Sequence, residues 1–515
     1  MTNATRIGAD IPYLTAPEGP VSLSGDGTRV AVSACASYVN ADFSDCDSQG
    51  RLVRVFEWRC DARAWRQVGD NITESSSVSN SFGRNIKLSH DGTRLAVSSE
   101  YSNGQKGHVA VFEWTPAASS WFPLGDAIVG KAGGDVFGES LALSGDGARV
   151  AVMSPRNNGN GQASGSVRVF EWSPSGQQGA WTKIGQDLDG EAANNYGGGV
   201  SLSLDGEYLA AGHYYNSNRN GDEAGHVRVW RLTRDGNGDA TWTQVGEDID
   251  GPGEDAKSGG REAVSLSADG ATVAVGAFQH GSHGDARVYR RNDAATTPAD
   301  VWRLVGGAMD DSDEGSRLGN ALSISADGNR LAVLTRSSGF ALRVYDWDAL
   351  RWARYPIQDD DFPGGGHGGH VALSSDGSRV AISGHTTGVG KFARVYELDA
   401  DSSTCSSTTP GASNETAAAN ATGNEPSPNG YEPSPPATHG SPNATGDGGF
   451  GGSNGAGPAA AANGTSPARL PPRRPPPPSP PEEERRLVLD DDNRAAGRAS
   501  AFPAACATLV AFLCW

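Results

Sequence analysis

The stretch Val21-Ser-Leu-Ser-Gly-Asp-Gly-Thr-Arg-Val-Ala-Val32 decides the fold. Val21 and Leu23 alternate with serines, Asp26-Gly27 makes a two-residue turn, and Val30 and Val32 alternate again beyond it. Period-two alternation on either side of Asp-Gly is a β-hairpin signal, because glycine supplies the positive φ that so tight a turn needs. The string returns six more times, with its aspartate at Asp91, Asp146, Asp205, Asp269, Asp327 and Asp376. The spacings of 65, 55, 59, 64, 58 and 49 residues are too long for ankyrin or leucine-rich units. They suit a four-stranded blade with loops of variable length.

The hairpin supplies strands A and B of each unit. Strand C follows as VRVFEW ending at Trp58 and Trp172, VAVFEW ending at Trp114, VRVW ending at Trp230, and ARVY ending at Tyr289 and Tyr396. Strand D reads W-x-x-[IVL]-G from Trp65, Trp121, Trp181, Trp242 and Trp302, and its sixth copy decays to Trp352–Tyr355. The seventh unit stops after strand C. Its missing strand is at the other end of the chain, where TRIGADI (Thr5 to Ile11) matches the strand-D text TKIGQDL that starts at Thr182. The expected fold is therefore all-β: a seven-bladed β-propeller over residues 1–400, closed by an N-terminal strand in the last blade so that no sheet edge is left open.

Between strands D and A several units carry an aromatic-Gly pair, Phe82-Gly83, Phe137-Gly138 and Tyr196-Gly197, and strand B of the fifth unit ends as AVGAF, Ala274 to Phe278. With the Gly-x-V-x-V-aromatic strand that follows, this resembles the FG-GAP repeat family, whose best-known members form the propeller heads of integrin α chains. The resemblance covers roughly residues 5–400 and implies a fold more than a task, since propellers host unrelated functions. Calcium-binding members of that family carry Asp-x-Asp-x-Asp-Gly between strands A and B. Here the connection is cut to Ser-x-Asp-Gly, and one aspartate cannot supply the six to eight oxygens that calcium takes. Asp26 and its equivalents are read as turn residues.

The formal charge of −19 excludes a nucleic-acid backbone as partner, because phosphate binding needs clustered Lys and Arg. Residues 401–515 hold 11 acidic and 7 basic side chains, so most of the negative charge lies on the repeats. The six cysteines, Cys35, Cys46, Cys60, Cys405, Cys506 and Cys514, make neither a disulfide framework nor a metal finger. A Cys35–Cys46 loop closure or a Cys60–Cys405 clasp is open to a secreted protein, and isolated thiols to a cytosolic one.

In a propeller the D–A and B–C loops emerge on one face, and acidic residues collect there. Asp187 and Asp189 lie with Glu191 in one D–A segment, Asp248 and Asp250 with Glu247, Glu254 and Asp255 in the next, then Asp310 and Asp311, then Asp359 and Asp360. Such a rim would concentrate cations or a basic partner; the same charges would also keep a Gly-rich surface soluble. The loop Asn216-Ser-Asn218-Arg-Asn220-Gly-Asp222 has the alternate spacing of a calcium loop, with Asn where charge is wanted, and reads equally as an Asn/Gly turn. The pairs His280/His283 and His367/His370 have metal-like intervals but no evident third ligand. No nucleophile or acid/base constellation recurs, so no catalytic residues are assigned.

Residues 401–498 are dominated by Ser, Thr, Pro, Gly, Ala and Asn and predict a disordered stalk, since such a composition buries too little apolar area to offset its ordering entropy. Asn-x-Thr acceptors stand at Asn414, Asn420, Asn443 and Asn463, with others at Asn71 and Asn3. Residues 499–515 end in an apolar tail too short to span a bilayer comfortably; small and polar residues precede it, as in a GPI-attachment signal, with a tail anchor as the rival. The segment MTNATRIGADI has no apolar signal core, which points the other way unless sequence is missing upstream. The expectation is a non-enzymatic cell-surface recognition or adhesion module with an unidentified protein or glycan ligand, membrane attachment through the tail, and at most calcium as cofactor. The alternatives are an intracellular propeller scaffold and, third, a propeller enzyme.

Overall fold

The computed structural model describes residues 4–11, 19–35, 51–74, 81–174, 179–310, 316–335, 341–357, 369–386 and 390–398. Within them the chain forms seven antiparallel sheets, one for each copy of the hairpin string, each with strand order A-B-C-D. Blade 4 shows the pattern. Strand A is Gly197–Leu202, B is Tyr208–His213, and C is His226–Arg234; D comes in two pieces, Ala240–Gln244 and Ile249–Asp250, both paired to C. The weak sixth D strand still pairs, Trp352–Arg354 lying against Leu342–Trp347. Period-two alternation along strand C sends Trp230 and Leu232 into the core shared with blade 3 and Val227 and Val229 into the core shared with blade 5.

The last blade is knitted from both ends of this region. Gly369–Leu373, Arg379–Thr386 and Gly390–Glu397 supply A, B and C, and Thr5–Arg6 is the fourth strand, with Thr5 opposite Glu397 and Arg6 opposite Tyr396. Ile11 extends this edge: its N–H donates to the Ala393 carbonyl at 3.0 Å, and its side chain, 1% exposed, packs in a core with Val32 and Val395. Arg394 secures the segment through Nε, 2.7 Å from Asp10 Oδ1.

Three sets of bonds join blade to blade. At the centre, the residue between Ser and Asp of each hairpin string donates its N–H to the carbonyl of its counterpart one blade on. Gly25 donates to His90, His90 to Gly145, Gly145 to Leu204, Leu204 to Ala268, Ala268 to Ala326, Ala326 to Ser375, and Ser375 back to Gly25, all at 2.7–2.9 Å. Beside this closed circle, the arginine after the turn reaches a carbonyl of the next turn: Arg29 to Gly92 (2.9 Å), Arg149 to Asp205 (3.0 Å), Arg330 to Gly377 (2.9 Å) and Arg379 to Gly27 (2.9 Å).

At the periphery the strand-D tryptophan donates its indole N–H to strand D of the preceding blade: Trp65 to Ile7 O (3.1 Å), Trp121 to Val68 O (3.0 Å), Trp181 to Leu124 O (2.8 Å), Trp242 to Ile184 O (3.3 Å), Trp302 to Val245 O (2.7 Å) and Trp352 to Val305 O (3.1 Å). The glycine after each acceptor is required twice over. Gly185, for example, has φ +70°, and a Cβ there would come within 2.5 Å of the Trp242 ring.

Within each turn the aspartate organises the backbone. Asp26 Oδ1 accepts from Ser24 Oγ (2.6 Å) and Thr28 N (2.9 Å), while Ser24 Oγ accepts from Arg29 N (2.9 Å). Burial opposes ionisation, but these hydrogen bonds hold the carboxyls of Asp26, Asp91, Asp327 and Asp376 below the ordinary range.

If the N-terminal segment closes the ring, Ile11→Ala should lower unfolding free energy by about 2–4 kcal/mol, the usual loss for a buried aliphatic side chain. Asp10→Asn, at a partly exposed ion pair, should cost under about 1 kcal/mol. Urea titration of the two variants checks the ranking, and an unchanged midpoint for Ile11→Ala would refute the closure.

Candidate functional site: the loop face at blades 3 to 5

The B–C loop of a blade and the D–A loop that leaves it run side by side, joined by backbone hydrogen bonds. In blade 4 the N–H groups of Gly251, Asp255, Lys257 and Ser258 donate to the carbonyls of Gly225, Asp222, Glu223 and Ala224. In blade 3 Gly190, Asn194 and Tyr196 donate to Gly165, Gln162 and Ala163. The bracing holds several non-glycine residues at left-handed φ, among them Glu223 (49°), Asp255 (57°) and Lys257 (54°), an arrangement that costs of order 1–3 kcal/mol each and is concentrated at functional sites. Lys257 is buried, lies 4.3 Å from the Tyr215 ring centroid, and pairs with Glu223 and, at 3.6 Å, with Asp255; burial lowers its pKa.

The acids picked out in the sequence have different fates. Asp187 is taken up by Lys131 and by Lys183 at 2.7 Å, and Asp250 by Arg219 at 2.6 Å. Asp189 is half-buried, and its carbonyl accepts from Arg228 at 2.8 Å. Asp310 is exposed on the short strand Met309–Asp310. Asp311, Asp359 and Asp360 lie outside the described residues, as do Asn414, Asn420, Asn443 and Asn463. Asn71 is exposed, its Oδ1 accepting from Arg54 at 3.0 Å.

In the Asn-rich loop, Asn218 donates to Gly225 O (2.8 Å) and accepts from Asn220 N (2.9 Å), and Asn220 donates to Gly251 O (2.7 Å). Those two side chains therefore serve the turn, and Asp222 is exposed. Asn216 alone of the four turns toward an acid: it is 4% exposed, with Nδ2 3.5 Å from Glu191 Oε2.

Glu191, His226 and Asp248 converge where blade 3 meets blade 4. Their ligand-type atoms all lie within 4.8 Å of one another. His226 Nδ1 is 3.3 Å from Asp248 Oδ2 and 3.9 Å from Glu191 Oε2, and Arg228 NH1 stands 3.9 Å from Glu191 Oε1. His226 is wholly buried, and neither ring nitrogen has a hydrogen-bond partner among the described residues. Burial, with Arg228 adding to it, holds the imidazole pKa at about 3, so the ring is neutral near pH 7. Burial and the neighbouring Asp248 raise the Glu191 carboxyl. Sequence reasoning gathered Glu191 and Asp248 among the rim acids and missed His226, which heads an ordinary HVRVW strand. The available signal was positional: at the same register blades 1, 3 and 5 carry Leu52, Ser166 and Asp285, and only blade 2 of these neighbours also carries a histidine, His108.

A second group of charges lies on and beside the A strands at the centre of the ring. Glu262 of blade 5 faces Lys87 of blade 2 at 3.7 Å and His370 of blade 7 at 3.6 Å, Arg261 pairs with Glu139 of blade 3, and Arg84 Nε is 2.9 Å from Glu100 Oε1. Blades 2 and 5 are not neighbours, so the Lys87–Glu262 pair spans the centre. Burial favours the protonated form of Glu262, yet Lys87, His370 and Arg261 together hold its pKa at about 2. Acid and base here answer each other.

Along the outer edge between blades 4 and 5 a cleft of about 190 Å³ is lined by Arg219 of the B–C loop, by Glu247, Asp248 and Asp250 of the strand-D segment, and by Tyr289, Pro298, Ala299 and Trp302 of blade 5. Asp248 thus borders both the cleft and the His226 cluster.

No protein-family model matches the chain, and no curated protein does. Among solved structures it is similar to Kuenenia stuttgartiensis hydrazine synthase, with 14% identity over 73% of this chain and 95% of that one and a TM-score of 0.43. It is also similar to a putative 6-phosphogluconolactonase from Bacteroides uniformis, with 11% identity over 72% and 97% and a TM-score of 0.44. At such identities neither activity nor substrate carries across.

The central charges have a pH signature. Glu262 has a folded pKa of about 2 against an ordinary value of 4.5, so its contribution is complete above pH 4.5 and is lost as pH falls toward 2. Glu262→Gln should therefore destabilise the protein at pH 7 by on the order of 3 kcal/mol. The two proteins should converge in urea midpoint as pH approaches 2, and a constant offset across that window would contradict the assignment.

Proposed function

We propose that the chain is a non-enzymatic recognition module of the FG-GAP type, displayed at a cell surface, that engages a basic protein or glycan partner through the loop face of blades 3 to 5. The observation that carries this reading is the cleft that runs from that face, at Arg219, down the outer edge between blades 4 and 5. Beside Arg219, which holds Asp250, it joins the carboxylates of Glu247 and Asp248 to aromatic faces (Tyr289, Trp302), a lining suited to cationic side chains or to a sugar ring stacked on an aromatic. The backbone-braced loops around it present Asp222, Glu254 and Asp255 to solvent, and fixed loops bind with less ordering cost than mobile ones.

Other features point the same way. Strand C of the last blade runs away from the loop face, and Leu398 N donates to Ser378 O at 2.8 Å in the A–B turn, so the described chain ends on the side opposite the acidic loops. Cys60 is disulfide-bonded, as suits an oxidising compartment. Phe82 and Phe137 of the aromatic-Gly pairs are fully buried at the entry to strand A, a structural role that accounts for the FG-GAP-like spelling. The central charges, being mutually paired, support an enzyme less well than the rim supports a binder.

Expressed from its full-length sequence in a eukaryotic cell, the protein should reach the surface, shift in size on removal of N-glycans and be released by a phosphatidylinositol-specific phospholipase. Unmodified cytosolic protein would favour the scaffold reading. Reversing Glu247, Glu254 and Asp255 to lysine should leave display unchanged and reduce adhesion to partner cells at least about tenfold at low salt, where charge steering is strongest; adhesion unchanged by the triple reversal would remove the loop face from the account.

A further inference from the structure

We infer that Glu191, His226 and Asp248, with the side-chain oxygen of Asn216, form a site for one divalent transition-metal ion of the Zn²⁺ class at the junction of blades 3 and 4. The geometry is close to what such an ion requires. Tetrahedral coordination at bond lengths of 2.0–2.1 Å places ligand atoms about 3.3 Å apart. His226 Nδ1 and Asp248 Oδ2 already stand at 3.3 Å and His226 Nδ1 and Glu191 Oε2 at 3.9 Å, and all three ligand atoms lie within 4.8 Å of one another, so a rotation of the half-exposed Glu191 side chain completes three ligands.

The independent observation is His226 itself. A fully buried imidazole normally satisfies its nitrogens, because an unpaired buried polar group costs about 1–3 kcal/mol. Here Nδ1 is aimed between two carboxylates and has no hydrogen-bond partner among the described residues; Asn216 Oδ1, also buried, lacks one too. The amide of Asn216 already sits against Glu191, and its oxygen and nitrogen exchange places by a half-turn, which would bring the oxygen into the cluster.

Comparison among the chain's own repeats sets blade 4 apart: blade 2 also has a histidine at this register, His108, but it is satisfied by Glu74 at 2.9 Å and by Ser102 at 2.7 Å. At the position of Asp248 blades 1 and 7 use Asn71 and Asp10 to receive the strand-C arginine, Arg54 Nε at 3.0 Å and Arg394 Nε at 2.7 Å. In blade 4 the corresponding Arg228 Nε has no partner among the described residues, its guanidinium turns to Asp189 O and Glu191, and Asp248 is left to His226.

The charge balance favours a cation as well. Two carboxylates and one guanidinium surround the ring, while Asp250 is occupied by Arg219, so the pocket carries about one net negative charge and brings two like charges together. Donor chemistry selects the ion: an imidazole nitrogen with two carboxylates suits zinc and its first-row neighbours, whereas calcium would want six or more oxygens. Occupancy would pin the D–A loop of blade 3, through Glu191, to the edge of the cleft at Asp248.

The test uses purified full-length protein, stripped with chelator, with Zn²⁺, Co²⁺ and Ca²⁺ each added alone. Calorimetry should show one Zn²⁺ per chain, Co²⁺ should develop a visible d–d absorption, and Ca²⁺ should bind at least about tenfold more weakly. Asp248→Asn and Glu191→Ala should each weaken Zn²⁺ binding by about tenfold or more while leaving thermal unfolding without metal nearly unchanged; His280→Ala, outside the site, should not alter it. Glu191 is exposed enough that its variant folds, which keeps the test open even if a change at His226 does not. Absence of stoichiometric Zn²⁺ binding, Zn²⁺ binding that survives both carboxylate variants, or a preference for Ca²⁺ would each overturn the inference. None of these outcomes depends on where in the cell the protein resides or on what it recognises, so this site and the recognition reading can fail separately.

Discussion

The circle of seven backbone hydrogen bonds from Gly25 to Ser375 and back is the constraint on which the remaining structure depends. A sheet satisfies its own peptide groups, but the turn residue between Ser and Asp faces the axis, where no strand is available to pair with it. Each such residue solves the problem by donating one way round and accepting from the other, and that works only if the sequence of donors returns to its start. Blade number, blade tilt and the reach of the post-turn arginines are then fixed together. The Ser-x-Asp-Gly spelling follows: Ser and Asp hold the turn in shape so that the residue between them is free to bond across blades.

Side chains at that free position differ, and they show how a symmetric frame accommodates local variation. His90 leans over Gly25, where a Cβ would meet its ring at 1.8 Å, and touches Ser375 Oγ at 2.9 Å; Leu204 covers Gly145 in the same way. Glycine alternates with a larger neighbour around part of the circle. Departures from the repeat at the heads of the C strands, His108 against Glu74 and His226 against Asp248, are of the same kind: the frame is kept and one side chain is reassigned.

Much of this was legible in the sequence because the signals are local. Asp26-Gly27 and its six counterparts declare their hairpins within a dozen residues, and the match of Thr5–Ile11 to strand D placed the N-terminus in the last blade, where Thr5 pairs with Glu397. The motif W-x-x-[IVL]-G was visible as a pattern, but its cause was not, since Gly185 is required by a tryptophan one blade away, at Trp242. The rim acids could be gathered as a class. Their sorting could not, because Asp187 finds Lys131 and Asp250 finds Arg219 through loops whose course depends on the assembled ring. The Lys87–Glu262 pair was invisible for the same reason: it joins blades on opposite sides of the centre.

The pairing of Thr5 with Glu397 has a topological consequence. Since these residues are cross-strand neighbours, the described polypeptide is very nearly a cyclic string interrupted at one place, and the interruption happens to fall inside a sheet. A relinked chain that began in another outer connection, such as the exposed Asp235–Asp239 bend of blade 4, would retain the same set of contacts.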